Sequence, residues 1–337
     1  MAIISESPSE GQYAGLEALV EPSPLLSVVV PVYNGSEKLE GMLATLKLHV
    51  EKLGPVLVKL VEQEKQKSPL VNTGRKLVEN ASAAVILDQY LSLNPSDALA
   101  SGLLEIAKGE AGTDGLEKGW YEFIVVNDGS KDSTKAVVEG ISSIDQTIRL
   151  ISYSINMGKG YAVRQGVLHS RGKYVMFLDG DGEISSEVLA KYLERMSSAD
   201  IAIGSKYHPE SVVRTPGSRK FFSKAFQMFV KLMLKTGVSD TQVGLKVGKG
   251  DEFRKIFQKV LVKRYAFDAE MLTVAGMLGL KVEELPVNID LERSFKKKEI
   301  VRMAIDVIGI AFRSRIIGWY QKNMERQRPY YRALAFA

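Results

Sequence analysis

The stretch YVMFLDGDGE, residues 174–183, decides the fold, because an apolar run ends abruptly there in carboxylates that alternate with glycines. Residues 26–34, LSVVVPVYN, and residues 121–130, YEFIVVNDGS, have the same form: a β-branched apolar run that ends in polar side chains. Short runs of this kind are typical of strands that are buried on both faces, as in a parallel sheet.

Two more short strands are predicted over 148–153 and 201–203, and helical stretches separate the strands at 133–144, 159–170 and 187–196. Strands that alternate with helices of about 10–15 residues indicate βαβ units. The sequence therefore predicts an α/β fold with a mostly parallel sheet flanked by helices. Ligands bind such sheets outside the carboxyl ends of the strands, so we expect the chemistry at that edge.

We predict three parts along the chain. Residues 1–24 are polar and rich in Ser, Glu, Pro and Gly, and we expect a flexible tail. Residues 25–290 form the α/β domain. Within it, residues 41–119 are too long for one crossover and contain helical patterns, so we interpret them as a helical insertion. Residues 291–337 form a basic, amphipathic C-terminal segment.

The composition excludes several classes of site. With 337 residues, 45% of them hydrophobic and 25% charged, the chain can bury a full core. The absence of cysteine excludes disulfides, thiolate zinc sites and cysteine nucleophiles, and the three histidines are scattered too widely to suggest a metal cluster. No uncharged apolar run reaches about 18 residues, so we expect no transmembrane span, and no secretory signal is visible.

Positive charge is concentrated in two stretches. Residues 204–264 carry 14 Lys and Arg against 4 Asp and Glu, and residues 293–337 carry 11 against 3. Such segments need an anionic partner, which is nucleic acid, a phosphate or a membrane surface. Because no nucleic-acid recognition motif accompanies the charge, we do not expect nucleic acid as the partner.

Two predicted helices in these stretches carry a narrow polar stripe. In the first, over 221–235, the stripe consists of Lys220, Lys224, Gln227, Lys231 and Lys235. In the second it consists of Lys298, Arg302, Asp306, Gly309 and Arg313, and the apolar side is expected at Ile300, Ala304, Val307 and Ala311. Basic amphipathic helices with aromatic edges are typical of membrane interfaces, and helices packed on the core are the alternative in both cases.

The loop after residue 178 is the strongest candidate for a metal site. Asp179, Asp181 and Glu183 alternate with glycine, so three carboxylates can converge on one tight loop. Hard oxygen ligands suit Mg²⁺ or Mn²⁺ held together with substrate phosphates. A plain turn rich in Asp and Gly is the alternative. An EF-hand loop is excluded because Ile184 and Ala190 occupy its glycine and glutamate positions.

A glycine-rich segment, Asn156-Met-Gly158-Lys159-Gly160, comes before a predicted helix. It lacks the third glycine of the dinucleotide fingerprint, because position 163 is Val. We interpret it as a strand–loop–helix turn with a phosphate near the start of the helix, next to Lys159.

These motifs together resemble those of family 2 glycosyltransferases with the GT-A (Rossmann-like) fold. The ordered matches are Pro31-Val-Tyr33-Asn34, Asn127-Asp128-Gly-Ser, the glycine segment and Asp179-x-Asp181. Later motifs resemble the polyprenyl (dolichyl) phosphate sugar transferases, most of all the dolichyl-phosphate β-glucosyltransferases. They are Gly204-Ser-Lys206-Tyr207, Asp240-Thr-Gln242-x-Gly244-x-Lys246 and Tyr265-Ala-Phe267-Asp268-x-Glu270.

The resemblance implies a role for each matching residue. The residues implied for the nucleotide sugar are Pro31, Tyr33, Asn34, Asp128, Lys159 and Asp179. Asp179 and Asp181, with Glu183 where the family usually has Gln, would hold the divalent ion. Gly35 departs from the pattern, since a Glu is common there.

The acceptor side is implied in the same way. Lys206 replaces the usual Arg of its motif, which keeps the charge but loses the bidentate geometry. Lys206, Arg214, Arg219 and Lys246 would hold an acceptor phosphate. Asp240 is the candidate base, and its alternative role is to orient Lys246 or to cap the adjacent turn. Asp181, Asp240 and Arg219 are therefore the expected catalytic residues.

The implied reaction is inverting transfer of glucose from UDP-glucose to dolichyl phosphate, with Mg²⁺ or Mn²⁺, by a peripheral enzyme at the cytoplasmic face of an anionic membrane. Two alternatives keep the fold: a dolichyl-phosphate mannose synthase that uses GDP-mannose, and a family 2 enzyme with a hydroxyl acceptor, for which Asp240 would be an essential base. A non-enzymatic basic binding module is the third alternative, and it leaves the strand-end carboxylates without a purpose.

Overall fold

The structure is a computed structural model that describes residues 24–67, 119–178, 188–214, 217–290 and 297–323. Its strands are β1 Leu26–Val32, β2 Tyr121–Asp128, β3 Ile148–Tyr153, β4 Tyr174–Phe177, β5 Ile201–Ser205, β6 Val212–Arg214, β7 Lys246–Lys249, β8 Val282–Pro286 and β9 Asn288–Asp290. Its α-helices are α1 Ser36–Glu51, α2 Gly54–Lys67, α3 Thr134–Ile144, α4 Lys159–Leu168, α5 Leu189–Glu194, α6 Gly217–Leu234, α7 Gly250–Phe257, α8 Phe267–Met277 and α9 Lys297–Ala311.

Seven strands form one sheet in the order β3-β2-β1-β4-β7-β5-β8. Only β7 runs antiparallel to its neighbours, β4 and β5. The predicted α/β fold with a mostly parallel sheet is therefore confirmed. A separate two-stranded parallel sheet joins β6 and β9.

The central strands are apolar because helices cover both faces of the sheet. All eight residues of β2 are buried. One face packs against apolar residues of α1, α2, α3 and α5, and the other against those of α4, α6, α7, α8 and α9. Two-sided burial accounts for the continuous apolar runs that the sequence shows in these strands.

The region predicted as a helical insertion begins within a core helix. Helix α1 starts at Ser36 and buries Leu39, Leu43, Leu46 and Val50, and α2 continues the same packing through Leu57 and Leu60. This part of the chain connects β1 to its parallel neighbour β2, as a crossover helix does. Residues 68–118, which make up most of the predicted insertion and include a helical pattern in the sequence at 75–107, lie outside the described residues, as does most of the predicted tail.

The C-terminal helix α9 has two apolar faces. Val307, Ile310 and Ala311 are buried in the core on the second face of the sheet, and Met303 is buried as well. The predicted apolar side is therefore correct at Val307 and Ala311, whereas Ile300 and Ala304 are only half-buried. A second stripe is exposed to solvent, and it continues from α9 into the π-helical turn Phe312–Ile316; its members are Val301, Ile305, Ile308, Phe312 and Ile316. Arg313 of the predicted polar stripe turns inward to the buried Glu270 of α8 at 2.9 Å. Helix α9 is therefore anchored to the domain by its inner face.

Candidate active site

The carboxyl ends of the parallel strands meet at one edge of the sheet. Strands β1 and β4 are neighbours there. After β1 the chain continues to β2, towards the β3 edge of the sheet, and after β4 it continues to β5, towards the β8 edge. A reversal of strand order opens a crevice in which ligands of α/β proteins bind. Because β7 is antiparallel, it begins at this edge, with Lys246 opposite Phe177 of β4 and Ile203 of β5.

The loops after β1 and β2 are tied together. Asn34 has a left-handed backbone with φ of 51°, its N–H donates to Ser130 Oγ at 2.9 Å, and its Oδ1 accepts from Lys131 N at 2.9 Å. Asp132 accepts from Ser36 N at 3.1 Å, and a hydrogen bond from the Thr134 hydroxyl is the main cause that lowers the pKa of Asp132 to about 2.

This tie leaves different roles to the nucleotide residues predicted at the end of β1 and just after it. The amide of Asn34 is used within the protein. Tyr33 is 48% exposed and Pro31 is half-buried, so both offer surface to a ligand.

Asp128 holds the glycine-rich turn before α4 by hydrogen bonds to its backbone. The residue is 4% exposed, and its carboxylate accepts from Tyr153 Oη at 2.8 Å, Met157 N at 2.8 Å and Gly158 N at 2.9 Å. Burial, together with this hydrogen bond to a carboxylate, raises the pKa of Tyr153. Asp128 therefore holds the turn that starts α4, a contact that the sequence did not predict for it.

Two glycines of that turn are required by its geometry. Gly158 has φ of 103°, a region that residues with a side chain avoid. A Cβ on Gly160 would lie 2.6 Å from Phe267 Cβ and 2.7 Å from Val262 O. The start of α4 thus lies directly against the segment before α8. Lys159, at this start, has its Nζ 6.0 Å from the centre of the Phe267 ring.

Lys206 and Asp240 form a pair just beyond the end of β5. The Asp240 carboxylate is held from three sides: Lys206 Nζ lies 2.7 Å from Oδ2 and 3.0 Å from Oδ1, Lys206 N donates to Oδ2 at 2.9 Å, and Gln242 N donates to Oδ1 at 3.0 Å. Asp240 is 1% exposed, whereas the Lys206 side chain is 14% exposed. Of the two predicted roles, the geometry favours orientation and turn capping, with Lys206 as the partner instead of Lys246.

Lys246 lies in the interior. Its side chain is 1% exposed, and its Nζ is 2.6 Å from Asp268 Oδ1 and 2.6 Å from Val243 O, with the ring of Phe177 beside it. The predicted contact of Lys246 with an acceptor phosphate is therefore not what this geometry offers. The ammonium is enclosed, and its charge is matched by Asp268.

Helix α6 contacts the region around Lys206, and the remaining acceptor candidates, Arg214 and Arg219, lie just before this helix and in its first turns. Tyr207, next to Lys206, is hydrogen-bonded to Ser223 of α6, and Thr241 Oγ1 lies 3.3 Å from Gln227 Oε1 of the same helix. Arg219 belongs to the first turns of α6, and its side chain lies outside the described residues. Arg214, at the end of β6, is exposed.

The predicted metal ligands Asp179, Asp181 and Glu183 lie outside the described residues. They follow β4, which ends at Phe177 beside β1 at the switch in strand order. Three carboxylates are the hard donors that Mg²⁺ and Mn²⁺ prefer, so the donor set fits such an ion. Within the described ranges, no group of three or more His, Asp or Glu could hold a metal ion.

One carboxylate in this region, Glu284, is not part of any motif that sequence analysis identifies. Glu284 of β8 accepts from Ser239 N at 2.8 Å and from Asp240 N at 3.1 Å, and the Ser239 hydroxyl also donates to it. Its position in the segment Val282–Pro286 carries no motif, because its partners are more than 40 residues away in sequence.

Known proteins support a family assignment. Residues 114–257 match the family model described as Glycosyl transferase family 2. A dolichyl-phosphate beta-glucosyltransferase of Trichomonas vaginalis is 38% identical over 207 residues, 59% of this chain and 64% of that protein. This chain thus spans just under two thirds of that relative. A dolichyl-phosphate beta-glucosyltransferase of Dictyostelium discoideum is 30% identical over 283 residues, 80% of this chain and 85% of the relative.

Among solved structures, glucosyl-3-phosphoglycerate synthase from Mycobacterium tuberculosis, crystallised with Mn²⁺, UDP and glucosyl-3-phosphoglycerate, is similar with a TM-score of 0.45. The sequence identity is 14%, and the alignment covers 92% of this chain and 85% of that chain.

Proposed function

The chain belongs to glycosyl transferase family 2, and we propose that it transfers glucose from UDP-glucose to dolichyl phosphate with inversion, which gives a lipid-linked β-glucosyl phosphate. The two relatives described above are named dolichyl-phosphate beta-glucosyltransferases, which supports the transferred sugar and the acceptor, and one of them is matched over 85% of its length. The later motifs, from Gly204 to Glu270, support the same acceptor class.

The observation that decides the choice of acceptor is that Asp240 is buried and already hydrogen-bonded within the protein. A hydroxyl acceptor needs a base that can reach its proton. Asp240 is 1% exposed, and its oxygens already accept from Lys206 and Gln242, so it is poorly suited to that task. A phosphate monoester has a second pKa of about 6, so near neutral pH it is already an anionic nucleophile. Such an acceptor needs a cation and no base.

The proposed mechanism follows from this arrangement. Lys206, with Arg214 and Arg219, holds the acceptor phosphate in line with C1 of the donor sugar. The bond from a phosphate oxygen to C1 forms as the bond from C1 to the diphosphate oxygen breaks, so an α-linked donor gives a β-linked product. Asp240 keeps the Lys206 ammonium in place, and no covalent nucleophile of the protein takes part.

The donor is proposed to lie across β1, β2 and β4. Tyr33 and Pro31 offer the surface for the base, while Asp128 fixes the turn in front of Lys159. Asp179, Asp181 and Glu183 would hold Mg²⁺ or Mn²⁺, and a divalent ion supplies charge neutralisation of the leaving diphosphate when bound.

A test of the function offers UDP-glucose, GDP-mannose and UDP-N-acetylglucosamine in parallel, with dolichyl phosphate and Mg²⁺ or Mn²⁺. We expect UDP-glucose to give the glycolipid product, and we expect mild acid to release the sugar, since a glycosyl phosphate is acid-labile. Preference for GDP-mannose would indicate a mannose synthase, and an acid-stable product would indicate a hydroxyl acceptor. Either result would overturn the proposed reaction.

The proposed site of action is the cytoplasmic face of the membrane, reached by a peripheral surface. The exposed stripe of α9 lies on a helix that packs against α6, where Met228 and Leu232 are 72% and 73% exposed. Lys224, Lys231 and Lys235 flank them. Apolar side chains surrounded by lysines suit a surface of anionic lipids, which the cytoplasmic leaflet provides. In the part of the chain that the structure describes, no helix has the length and hydropathy of a membrane span.

Replacing Ile305 and Ile308 together by Asp is expected to weaken binding to vesicles that contain phosphatidylserine by about 100-fold. Each isoleucine is more than half exposed, and burial of one such side chain contributes roughly 1.5–3 kcal/mol. Co-sedimentation with vesicles measures the loss. The control is Ile144→Asp on α3, because Ile144 is 89% exposed and lies away from this surface. Unchanged binding of the double variant would refute the surface.

A further inference from the structure

The turn that carries Asp240 is held by a carboxylate from another strand. Glu284 of β8 pairs in register with Ile203 of β5, so it lies beside the strand that leads to Lys206. Its two oxygens accept the N–H groups of Ser239 and Asp240, at 2.8 and 3.1 Å, and the Ser239 hydroxyl. Three donors on one carboxylate fix the position of the residues that carry them.

A second contact ties the same turn to β5. The hydroxyl oxygens of Ser205 and Ser239 lie 2.9 Å apart, and Ser205 is the residue before Lys206. The order of contacts therefore runs from Glu284 to the Ser239–Asp240 turn, and from the Asp240 carboxylate to the backbone and ammonium of Lys206. Glu284 has no contact with Lys206 among those described for it.

We propose that Glu284 is a positioning residue for the acceptor phosphate: it fixes the Ser239–Asp240 turn so that Asp240 directs the Lys206 ammonium towards that phosphate. The inference rests on the proposed function, because it takes Lys206 as a cation that binds the acceptor. Glu284 is assigned no contact with the substrates, and it acts through Asp240.

The chemistry of the three donors requires a carboxylate at this position. Every partner of Glu284 presents an N–H or O–H, and a carboxylate is an acceptor at both oxygens. Gln has almost the same shape, but its amide would turn N–H groups towards one of these donors. The turn, and Asp240 with it, would then have to move. A displaced Asp240 no longer holds Lys206 in one place.

The experiment compares Glu284→Gln with Glu283→Gln in the full chain. Glu283 is the neighbouring carboxylate on β8. Its Oε1 forms an ion pair with Arg195 Nε at 3.4 Å, which is separate from the contacts of Glu284. A short, water-soluble prenyl phosphate is titrated by calorimetry, and glucosyl transfer is measured separately with the wild type and both variants to obtain the donor KM. We expect Glu284→Gln to weaken binding about 10- to 100-fold, the effect of one charged hydrogen bond, with the donor KM unchanged. Glu283→Gln is expected to bind as wild type does.

The same substitution in a Lys206→Gln background separates positioning from a general structural role. If Glu284 acts through Lys206, Glu284→Gln adds no further weakening there. Equal weakening in both backgrounds, or no weakening in either, would overturn the proposal. If Glu284→Gln does not fold, Glu284→Asp keeps the charge with a shorter reach and is expected to weaken binding in the same way. A wild-type protein that neither binds prenyl phosphate nor transfers glucose would instead overturn the proposed function itself.

Discussion

Replacing Asp179 or Asp181 by Ala is expected to lower glucosyl transfer by about 1,000-fold or more, because a bound divalent ion contributes several kcal/mol to stabilising a leaving diphosphate. The unfolding temperature is expected to stay at the wild-type value, since both carboxylates follow the end of β4 in a glycine-rich stretch for which the sequence predicts a loop. Radiolabelled glucose transfer and a thermal melt measure the two quantities.

Two comparisons make this result specific to a metal. EDTA is expected to abolish the activity of the wild type, and added Mg²⁺ or Mn²⁺ to restore it. Asp251→Ala serves as the matched control, because Asp251 is an exposed carboxylate of α7, after the end of β7 that lies away from the proposed site. Full turnover in EDTA would show that the three carboxylates do not hold a catalytic ion.

Replacing Lys246 by Met is expected to lower the unfolding temperature by about 5 °C. The change leaves Asp268 buried without its cation, which typically costs about 3–5 kcal/mol, and each kcal/mol shifts the midpoint by roughly 1.5 °C in a chain of 337 residues, because the entropy of unfolding grows with chain length. Differential scanning calorimetry measures the shift. The double change Lys246→Met with Asp268→Leu is expected to recover much of the stability, because it removes both charges together.

Lys249→Met is the matched control on the same strand. Lys249 pairs with Asp200 at 2.8 Å but is 39% exposed, and such pairs contribute only about 0–1 kcal/mol. A Lys246→Met variant that melts like wild type and loses only the binding of prenyl phosphate would restore Lys246 to the acceptor site that its motif suggested.

The parallel strands could be predicted because their surroundings are simple. β1, β2 and β4 are covered on both faces, so burial demands apolar residues at every position, and β3 was predicted with its observed bounds. β7 could not be predicted in this way. Its four residues, Lys246–Lys249, include two lysines and a glycine, and they form a strand because β4 and β5 lie on either side of them.

The sequence predicts that the candidate residues lie at the carboxyl edge of the parallel strands, but it does not predict their contacts with one another. The motif containing Asp240 and Lys246 suggests that these two residues are partners, yet Asp240 pairs with Lys206 and Lys246 with Asp268. Which lysine meets which carboxylate depends on how β5, β7 and α8 pack, and that is long-range information. The predicted resemblance to family 2 glycosyltransferases is confirmed, because ordered motifs depend less on such detail.

Helix α9 shows a second reason why sequence-based prediction is incomplete. An amphipathic pattern identifies one polar stripe and assigns everything opposite to a single apolar side. Met303 and Ile310 are buried, whereas Ile305 and Ile308 face solvent, so the apolar residues of α9 serve two surfaces. Hydrophobicity alone does not distinguish a side chain that packs on the core from one that faces outward.

The late position of β7 in the chain has a consequence for folding during synthesis. Strands β4 and β5 are made first, but each leaves a row of backbone N–H and C=O groups unpaired until residues 246–249 emerge from the ribosome. Contacts between residues so far apart in sequence form slowly. During synthesis we therefore expect β1 to β4 to pair first, while β5 waits for β7. The unpaired edges of β4 and β5, which become the centre of the sheet, would then be accessible to chaperones.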